Sequence, residues 1–401
     1  MMQTMPNHAI RYARLDLPFG TAPADETVEA IRRFDAAHDG FLVKVVVFAA
    51  KLTDRRTDCR RLQRAIARRL KACKTLSGVP AVTVVEQPPL TKDWISVDVF
   101  YLNDSNIKPY YEWFDNLPYV RLDGYGCRQF WCSGFATPYA QMKGIKMSAA
   151  YAAGLHCLND LQHWIDHVGL RFDHVIRQWN YIGQILDLNP HGKTGELKQN
   201  YQEFNTVRQA FYQNHKREPV YPAATGIGCD YAGIIIDAVL FESADGHLPP
   251  ALKSPVQTEA FDYTDRVLVG KDAKTPPLFS RARLQTQKDA KAAKPAPDFP
   301  LCCWVSGTAS IAGERTLDPT SPDKQLENTV QSIERLVATA DPAAPHYRRI
   351  RLYLKSAIYA DQARHLAEML YRRFPKEICQ IVYGDVCRDD LWVEIEAETG
   401  L

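Results

Sequence analysis

The sequence predicts an α+β protein in which helices pack on one face of a mixed sheet, and three observations carry that prediction. From Leu278 onward, strand-like and helix-like segments follow one another in the order ββαβαββ, which suits elements interleaved around one sheet. Apolar residues make up 46% of the 401, enough to bury a sizeable core in two or three domains or one large one. No apolar run reaches the roughly 18 residues that a membrane span requires.

In chain order, Phe41–Ala50 (FLVKVVVFAA) and Asp93–Leu102 (DWISVDVFYL) read as strands from their β-branched and aromatic content. Between them, Arg55–Lys74 reads as a helix with Leu62, Ile66, Leu70 and Cys73 on one side and arginines around the rest. In the middle section, LNDLQHWIDHV is a helix that stops at Gly169. FDHVIRQWNYIGQIL resumes the helical pattern, and GELKQNYQEFNTVRQAFYQNH is a third helix. PAATGIGCDYAGIIIDAVLFES is a glycine-bearing turn that runs into a buried strand, Ile234–Phe241.

The C-terminal pattern is the clearest. Leu278–Gln285 and Leu301–Ile311 are strands, separated by a lysine-, alanine- and proline-rich insert, 286–299, that reads as a solvated loop or extended hairpin. KQLENTVQSIERLVATA is an amphipathic helix with Leu326, Val330, Ile333 and Val337 on one side. RIRLYLK is a strand, DQARHLAEMLYRRF a helix, and ICQIVYG and LWVEIEA close the chain as strands.

Charge narrows the function classes. The 49 Lys and Arg against 47 Asp and Glu leave +2, so no global field calls for nucleic acid, an anionic membrane or an acidic substrate. The start, MMQTMPNHAIRYARLDLPFG, has no apolar core before a cleavage site, and the ten cysteines include no CxxC pair. The expectation is a cytoplasmic protein with free thiols.

Several residues stand out as carriers of chemistry. In Asp390–Glu396, period two sets Leu391, Val393 and Ile395 on one face and Trp392, Glu394 and Glu396 on the other. A carboxyl carried into a pocket has its pKa raised by desolvation and can serve as a general acid. The pattern alone also fits two solvated edge residues. Arg281, in a strand otherwise apolar or small, can clamp a carboxylate in bidentate fashion, or form a surface ion pair.

The glycines of Thr225–Gly228 and Ser306–Ser310 fit tight turns or close backbone approach to a ligand; neither segment is a phosphate loop. His156, His163, His167 and His174 would align on one continuous helix, but Gly169 interrupts it and no HExxH is present, so no metal site is assigned. The arginine-rich helix reads as a solvated face, with nucleic-acid binding as its alternative.

Taken in order, these pieces resemble two nested families. Pro277 to the end resembles a Rid-type (reactive intermediate deaminase, YjgF-like) domain. The matching parts are Phe279–Ala282, Val305–Gly307, Gln325-x-x-Asn328, the strand with Tyr353, and Val393–Glu396. More specifically, the chain resembles a chorismatase. That resemblance rests on Arg177–Ile182, Tyr201-x-x-Phe204-Asn205-x-x-Arg208, Pro222–Gly228, Phe279–Ala282, Ser306–Ile311 and Cys387-Arg388, spanning roughly residues 170 to 401.

The resemblance implies a Rid-like fold, also seen in Bacillus-type chorismate mutase, with the active site between an N-terminal α/β extension (1–220) and a C-terminal catalytic domain (221–401, core 274–401). Chorismatases remove the enolpyruvyl group of chorismate as pyruvate, without metal or organic cofactor. Subtypes yield a dihydroxycyclohexadiene carboxylate by hydrolysis, or 3- or 4-hydroxybenzoate. The family's essential carboxylate falls on Glu394. A subtype position, cysteine in benzoate formers, falls on Cys387, and a second, small one on Ala282. After Ile311, Ala312–Thr316 departs from the family's histidine-containing run.

The chemistry agrees. Protonating the enolpyruvyl methylene creates an oxocarbenium ion that must be stabilised as it forms. Glu394 is assigned as the acid, and Cys387 as a shape and polarity element, since no partner histidine is apparent to lower its pKa. The two substrate carboxylates need cations: Arg281 first, then Arg208, Arg177 and Arg388. Tyr201 and Tyr353 complete the substrate-binding set.

The expected reaction gives pyruvate and a hydroxybenzoate. The alternatives are the hydrolytic product, a Rid-like imine hydrolase, and a non-enzymatic binding protein using the Arg55–Lys74 helix. Rid domains commonly trimerise; here the long extension is expected to fill the other subunit positions internally, giving a monomer, with a trimer as the alternative. Neither nucleic acid nor membrane is an expected partner.

Overall fold

β-Branched strands and amphipathic helices alternate from the first described residues. The structure, a computed structural model, describes residues 10–400 except 51, 53–56, 143, 145–146, 192–195, 219, 269–273, 286–301 and 341–345. The first unit runs β1 (Ile10–Pro18), α1 (Pro23–Ala37), β2 (Phe41–Ala49), α2 (Cys59–Ala72), β3 (Ala81–Glu86) and β4 (Trp94–Leu102). Its strand order is β1-β4-β2-β3, with β2 and β3 parallel and β4 antiparallel to both neighbours.

An antiparallel ribbon, β5 (Lys108–Phe114), β6 (Leu117–Gly124) and β7 (Cys127–Trp131), leads into the second sheet. There follow β8 (Phe135–Pro138), α3 (Ala149–His167), β9 (Val175–Gly183), the hairpin β10 (Leu188–His191) and β11 (Glu196–Gln199), α4 (Asn200–His215), β12 (Ala223–Cys229) and β13 (Gly233–Ser243). The main path of this sheet is β12-β9-β13-β7-β6-β5, with β8 also paired to β13.

The third sheet holds β14 (Ala251–Leu252), β15 (Ala282–Gln285) and β16 (Cys302–Ala309). After a short pair, β17 (Ile311–Ala312) and β18 (Arg315–Thr316), come α5 (Pro322–Val337), β19 (His346–Leu354), α6 (Ala360–Tyr371), β20 (Cys379–Tyr383) and β21 (Val393–Gly400). The order is β14-β15-β16-β21-β19-β20.

One unit therefore recurs three times. In each, the sequence βαβαββ gives the strand order first-fourth-second-third, with the second and third strands parallel and the fourth antiparallel to both its neighbours. The units comprise β1 to β4, then β8, β9, β12 and β13, then β16, β19, β20 and β21. Each buries one sheet face under its two helices. Leu326, Val330, Ile333 and Leu366 share a core with Ile350, Leu352, Val393 and Ile395 in the third unit, as Leu158, Leu161, Phe204 and Val207 do with Ile234 and Ile236 in the second.

Ion pairs join the opposite faces of the three sheets in a cycle. Lys44 on β2 meets Asp237 on β13 at 2.7 Å, Arg177 on β9 meets Glu396 on β21 at 2.6 Å, and Arg351 on β19 meets Asp98 on β4. All six side chains are at most 1% exposed. Stripping such charges of water is costly, so each is held by its partner across a seam between units.

Several expectations are corrected. FDHVIRQWNYIGQIL is not a helix: Phe172–His174 is a single 3-10 turn and Val175–Gly183 is strand β9. Every residue of β9 is buried, so polar side chains such as Arg177, Gln178 and Asn180 sit inside and erase the period-two signal. Gly169 does end α3, adopting φ +73° just beyond it. Glu196–Gln199, expected at the start of the third helix, is strand β11.

Strands β12 and β13, which follow residue 220, each pair with β9, which precedes it, so the second sheet draws strands from both sides of that position. The strand expected from Leu278 begins at Ala282. The 286–299 insert lies outside the described residues. No helix of the described residues is long and apolar enough to cross a membrane.

Candidate active site

Along β21, Val393, Ile395 and Ala397 face α5 and α6, and the alternate positions send Glu394 and Glu396 toward the second sheet. Glu396 lies deeper. It accepts from Arg177 Nη2 (2.6 Å), Arg349 Nη1 (2.8 Å), Arg351 Nη1 (2.9 Å), Thr225 Oγ1 (2.6 Å), Trp179 Nε1 (2.9 Å) and Tyr353 OH (3.1 Å). Burial alone would favour its neutral form, but Arg351, Arg177 and Arg349 hold the carboxyl well below the usual range.

Glu394, 5% exposed, stands at the edge of a cavity between the second and third sheets. About 620 Å³ there is unfilled by protein atoms, part of it open to solvent. Burial first, then the negative charge of Glu396, push the Glu394 carboxyl up to about 8, against the pull of Arg177 and Arg281. Two residues before the buried acid of each unit, the other fourth strands carry Ser96 and Ile235. Only the third unit places a carboxyl at that position.

Two glycines admit this arrangement. At Gly307 on β16, an added Cβ would lie 2.1 Å from Glu394 Oε1, so the carboxyl rests directly on backbone. The β16–β21 register slips between Val305 and Thr308, a bulge that brings Ser306 and Gly307 out of the regular ladder. At Gly226 on β12, a Cβ would stand 3.0 Å from the ring of Tyr201, which closes another wall.

Cations also border the cavity. Arg281, 2% exposed, donates to the Thr258 carbonyl and to Tyr263 OH (2.7 Å), while its Nε has no partner. Among the described residues it makes no ion pair with a carboxylate. Arg388 donates to the Glu314 carbonyl at 2.8 Å. The Tyr263 ring lies near both guanidiniums, 5.4 Å from Arg281 and 5.3 Å from Arg388. Half-buried Cys387 also lines the wall, and burial with the nearby Glu394 charge pushes its thiol up to about 12.

Of the residues expected from sequence, Glu394, Cys387, Arg281, Arg388 and Tyr201 meet at this cavity. Arg177 and Tyr353 do not line it; they stand behind Glu394, bonded to Glu396. Arg208 is buried beside Asn205 (2.7 Å) and does not line it either. Ala282 is buried in the core beneath the helices, because Arg281 faces the cavity and the next residue in a strand faces away. Leu391 belongs to the cavity wall instead of the helix-side face, since β21 begins only at Val393.

The histidine stripe is dispersed. His156 contacts Thr137 and Asp160, His167 packs on Phe114 and Tyr119, and His174 caps a turn at Arg171. Among the described residues, no group of three or more His, Cys, Asp or Glu is placed to hold a metal.

Sequence reasoning passed over Tyr263 and the Arg349–Arg351 pair. The second had a signal: in RIRLYLK, Arg349, Arg351 and Tyr353 occupy one face by alternation. Tyr263 sits outside any strand or helix and had none.

Comparison with known proteins follows the same line. A family model for the N-terminal region of FkbO/Hyg5-like chorismatases matches residues 131–239. The chain is 30% identical over 237 residues to a 3-hydroxybenzoate synthase of Streptomyces hygroscopicus, a match covering 56% of this chain and 63% of that protein. The chain thus matches less than two-thirds of that relative's length. A crystal structure of a chorismatase superposes with a TM-score of 0.64 at 16% identity, covering 98% of this chain and 100% of that one, which marks a shared fold. A YjgF/YER057c/UK114 family member from Mycobacterium tuberculosis aligns over 31% of this chain and 86% of its own, with 20% identity and a TM-score of 0.22.

Proposed function

We propose that the chain is a chorismatase-family enzyme that cleaves chorismate to pyruvate and a hydroxybenzoate, with the 3-isomer as the first product to seek, a reading supported by the match of residues 131–239 and by the 30% identity to a 3-hydroxybenzoate synthase. The observation that carries this reading is Glu394, a carboxyl kept largely protonated near neutral pH beside a cavity bordered by two guanidiniums. Chorismate pairs two carboxylates with an acid-sensitive enol ether, and Arg281 and Arg388 offer the opposing charges.

Protonated Glu394 delivers its proton to the enolpyruvyl methylene. Positive charge develops on the adjoining ether carbon, and the carboxylate left behind stabilises it. The ring C3–O bond then breaks and pyruvate leaves with the ether oxygen as its keto oxygen, while the C4 oxygen closes on C3 and gives its proton to the Glu394 carboxylate, which returns to the acid form. Opening of this epoxide at C4, with the C3 hydrogen lost and a proton gained on oxygen, leaves 3-hydroxybenzoate; loss of the C4 proton without oxygen migration gives the 4-isomer. Pyruvate plus a hydroxybenzoate accounts for every atom of chorismate, whereas the dihydroxycyclohexadiene carboxylate requires one added water. The Cys387 thiol, held protonated, shapes the wall and does not act as a nucleophile. The proton donor in this scheme is a side chain, with no organic cofactor assigned a step.

We read the third unit as Rid-like, supported by its βαβαββ order and single helical layer. One chain with three such units is read as a monomer, which light scattering tests. The functional test is incubation with chorismate followed by product chromatography. Pyruvate with 3-hydroxybenzoate supports the proposal; pyruvate with the dihydroxycyclohexadiene acid replaces the lyase reading by the hydrolytic one. Intact chorismate rejects both.

A further inference from the structure

A single hydroxyl links the two carboxylates of β21. Thr225 on β12, 1% exposed, donates from Oγ1 to Glu396 Oε2 at 2.6 Å. The same oxygen accepts from Arg177 Nη2 at 2.6 Å and from the Gly307 amide at 3.1 Å. A hydroxyl has one proton and two lone pairs, so this one is fully used. The Gly307 it holds is the backbone against which Glu394 Oε1 rests, and Thr225 Cγ2 lies 3.2 Å from where a Gly307 Cβ would be.

The bulge carrying Gly307 is fastened at a second point. Ser306 Oγ accepts from the Ala224 amide at 2.9 Å and donates to the Ser280 carbonyl at 2.5 Å. Consecutive residues of β12 thus stitch consecutive residues of the β16 bulge across the seam. The arginine-bound Glu396 anchors the far end, and the Glu394 carboxyl lies at the near end. Among the described residues the Glu394 carboxyl makes no hydrogen bond of its own, so it depends on such a wall for its position.

We propose that Thr225 is a positioning residue for the Glu394 acid, acting through Glu396 on one side and the Gly307 amide on the other. This rests on the reading of Glu394 as the proton donor of the enol-ether cleavage. The methyl groups of Thr225 and valine fill the same space, so Thr225→Val removes the hydroxyl alone, and Thr225→Ser keeps it.

With chorismate as substrate, Thr225→Val is expected to lower kcat by about 10- to 100-fold with KM nearly unchanged, as misplacement of a reacting group does. Its basic pH limb should move to lower pH, because a loosened wall lets water reach the Glu394 carboxyl. Thr225→Ser should recover most of the rate. If Thr225→Val fails to fold, Thr225→Cys retains a weak donor and acceptor in place and should show an intermediate loss. Wild-type kcat and pH limb in the folded Val or Cys variant, or equal loss in Ser and Val, would overturn the proposal.

A substrate-free readout separates this from the reaction itself. Carboxyl ¹³C NMR, with the Glu394 signal assigned through Glu394→Gln, gives the titration midpoint in each variant. A midpoint that moves in Thr225→Val but not in Thr225→Ser supports the positioning role even if chorismate is left intact. An unmoved midpoint in Thr225→Val, with chorismate cleaved normally, rejects the role while leaving the reaction standing.

Discussion

Glu394 and Glu396 stand two residues apart on one face of β21, and their surroundings drive their carboxyl groups in opposite directions. Burial is common to both. The difference is cations in contact: three arginines bond Glu396, while Glu394 makes no ion pair among the described residues. The ionised partner then adds its own charge to what keeps Glu394 protonated. One strand thereby carries a fixed anion and a carboxyl that favours its neutral form side by side.

Replacing Glu394 with Gln should abolish chorismate turnover while raising stability. The buried carboxyl must either stay protonated or ionise in an apolar place, and the amide does neither. With a folded value near 8 against 4.5 for the free group, the gain at pH 8 should be on the order of 4 kcal/mol. Urea unfolding of the two proteins at pH 6 and pH 8 measures it, with the larger difference at pH 8.

Turnover should depend on pH through the same group. Activity needs the acid form and should fall as pH rises through about 8. Stability follows with a defined sign: a raised carboxyl contributes fully below its unfolded value of 4.5 and progressively less as pH rises to about 8. Glu396 acts in the opposite sense, its contribution present above the ordinary carboxylate range and lost in acid. A kcat profile with no basic limb between pH 7 and 9 would remove Glu394 from the role of acid.

Gly307→Ala tests the contact between backbone and carboxyl. The new methyl would meet Glu394 Oε1, the movable end of a side chain, so the fold should survive while the acid is displaced. A fall of about 10-fold or more in kcat, with thermal unfolding little changed, is expected.

Cys387→Ala tests the cavity wall near the acid. The family resemblance implies that cysteine at this position goes with benzoate formation, so on that reading the product ratio should shift toward the dihydroxycyclohexadiene acid. Chromatography of the two reactions gives the ratio directly; an unchanged ratio would exclude a product-determining role for the thiol.

The buried pair Lys44–Asp237 can be separated into its parts. Asp237→Ala leaves Lys44 charged and without its carboxylate, which should cost about 3–5 kcal/mol. Replacing both by apolar residues, as in Lys44→Met with Asp237→Leu, should recover most of that loss. Denaturant midpoints of the single and double variants decide it.

Much of this was legible in the sequence where one physical pattern ruled. The ββαβαββ order from Leu278 onward and the alternation that sends Glu394 and Glu396 to one side both follow from periods of 3.6 and 2. Legibility failed where burial was two-sided. In β9, Arg177, Gln178 and Asn180 are buried by partners from other sheets, so polarity no longer reported exposure. The threefold repetition was hidden for a related reason: it lives in strand pairing, and the equivalent residues Asp98, Asp237 and Glu396 share only a negative charge. Tyr263 reaches the cavity by tertiary placement alone, which no local spacing encodes.

A cleft shared by separate subunits exists only while they remain associated, and mass action empties it on dilution. Here the polypeptide itself keeps the second and third units in reach of each other, at an effective concentration set by covalent tethering. Specific activity should therefore hold from micromolar to nanomolar protein. Titrated to saturation, each polypeptide should accept a single guest, since two of its three seams have given up the carboxyl.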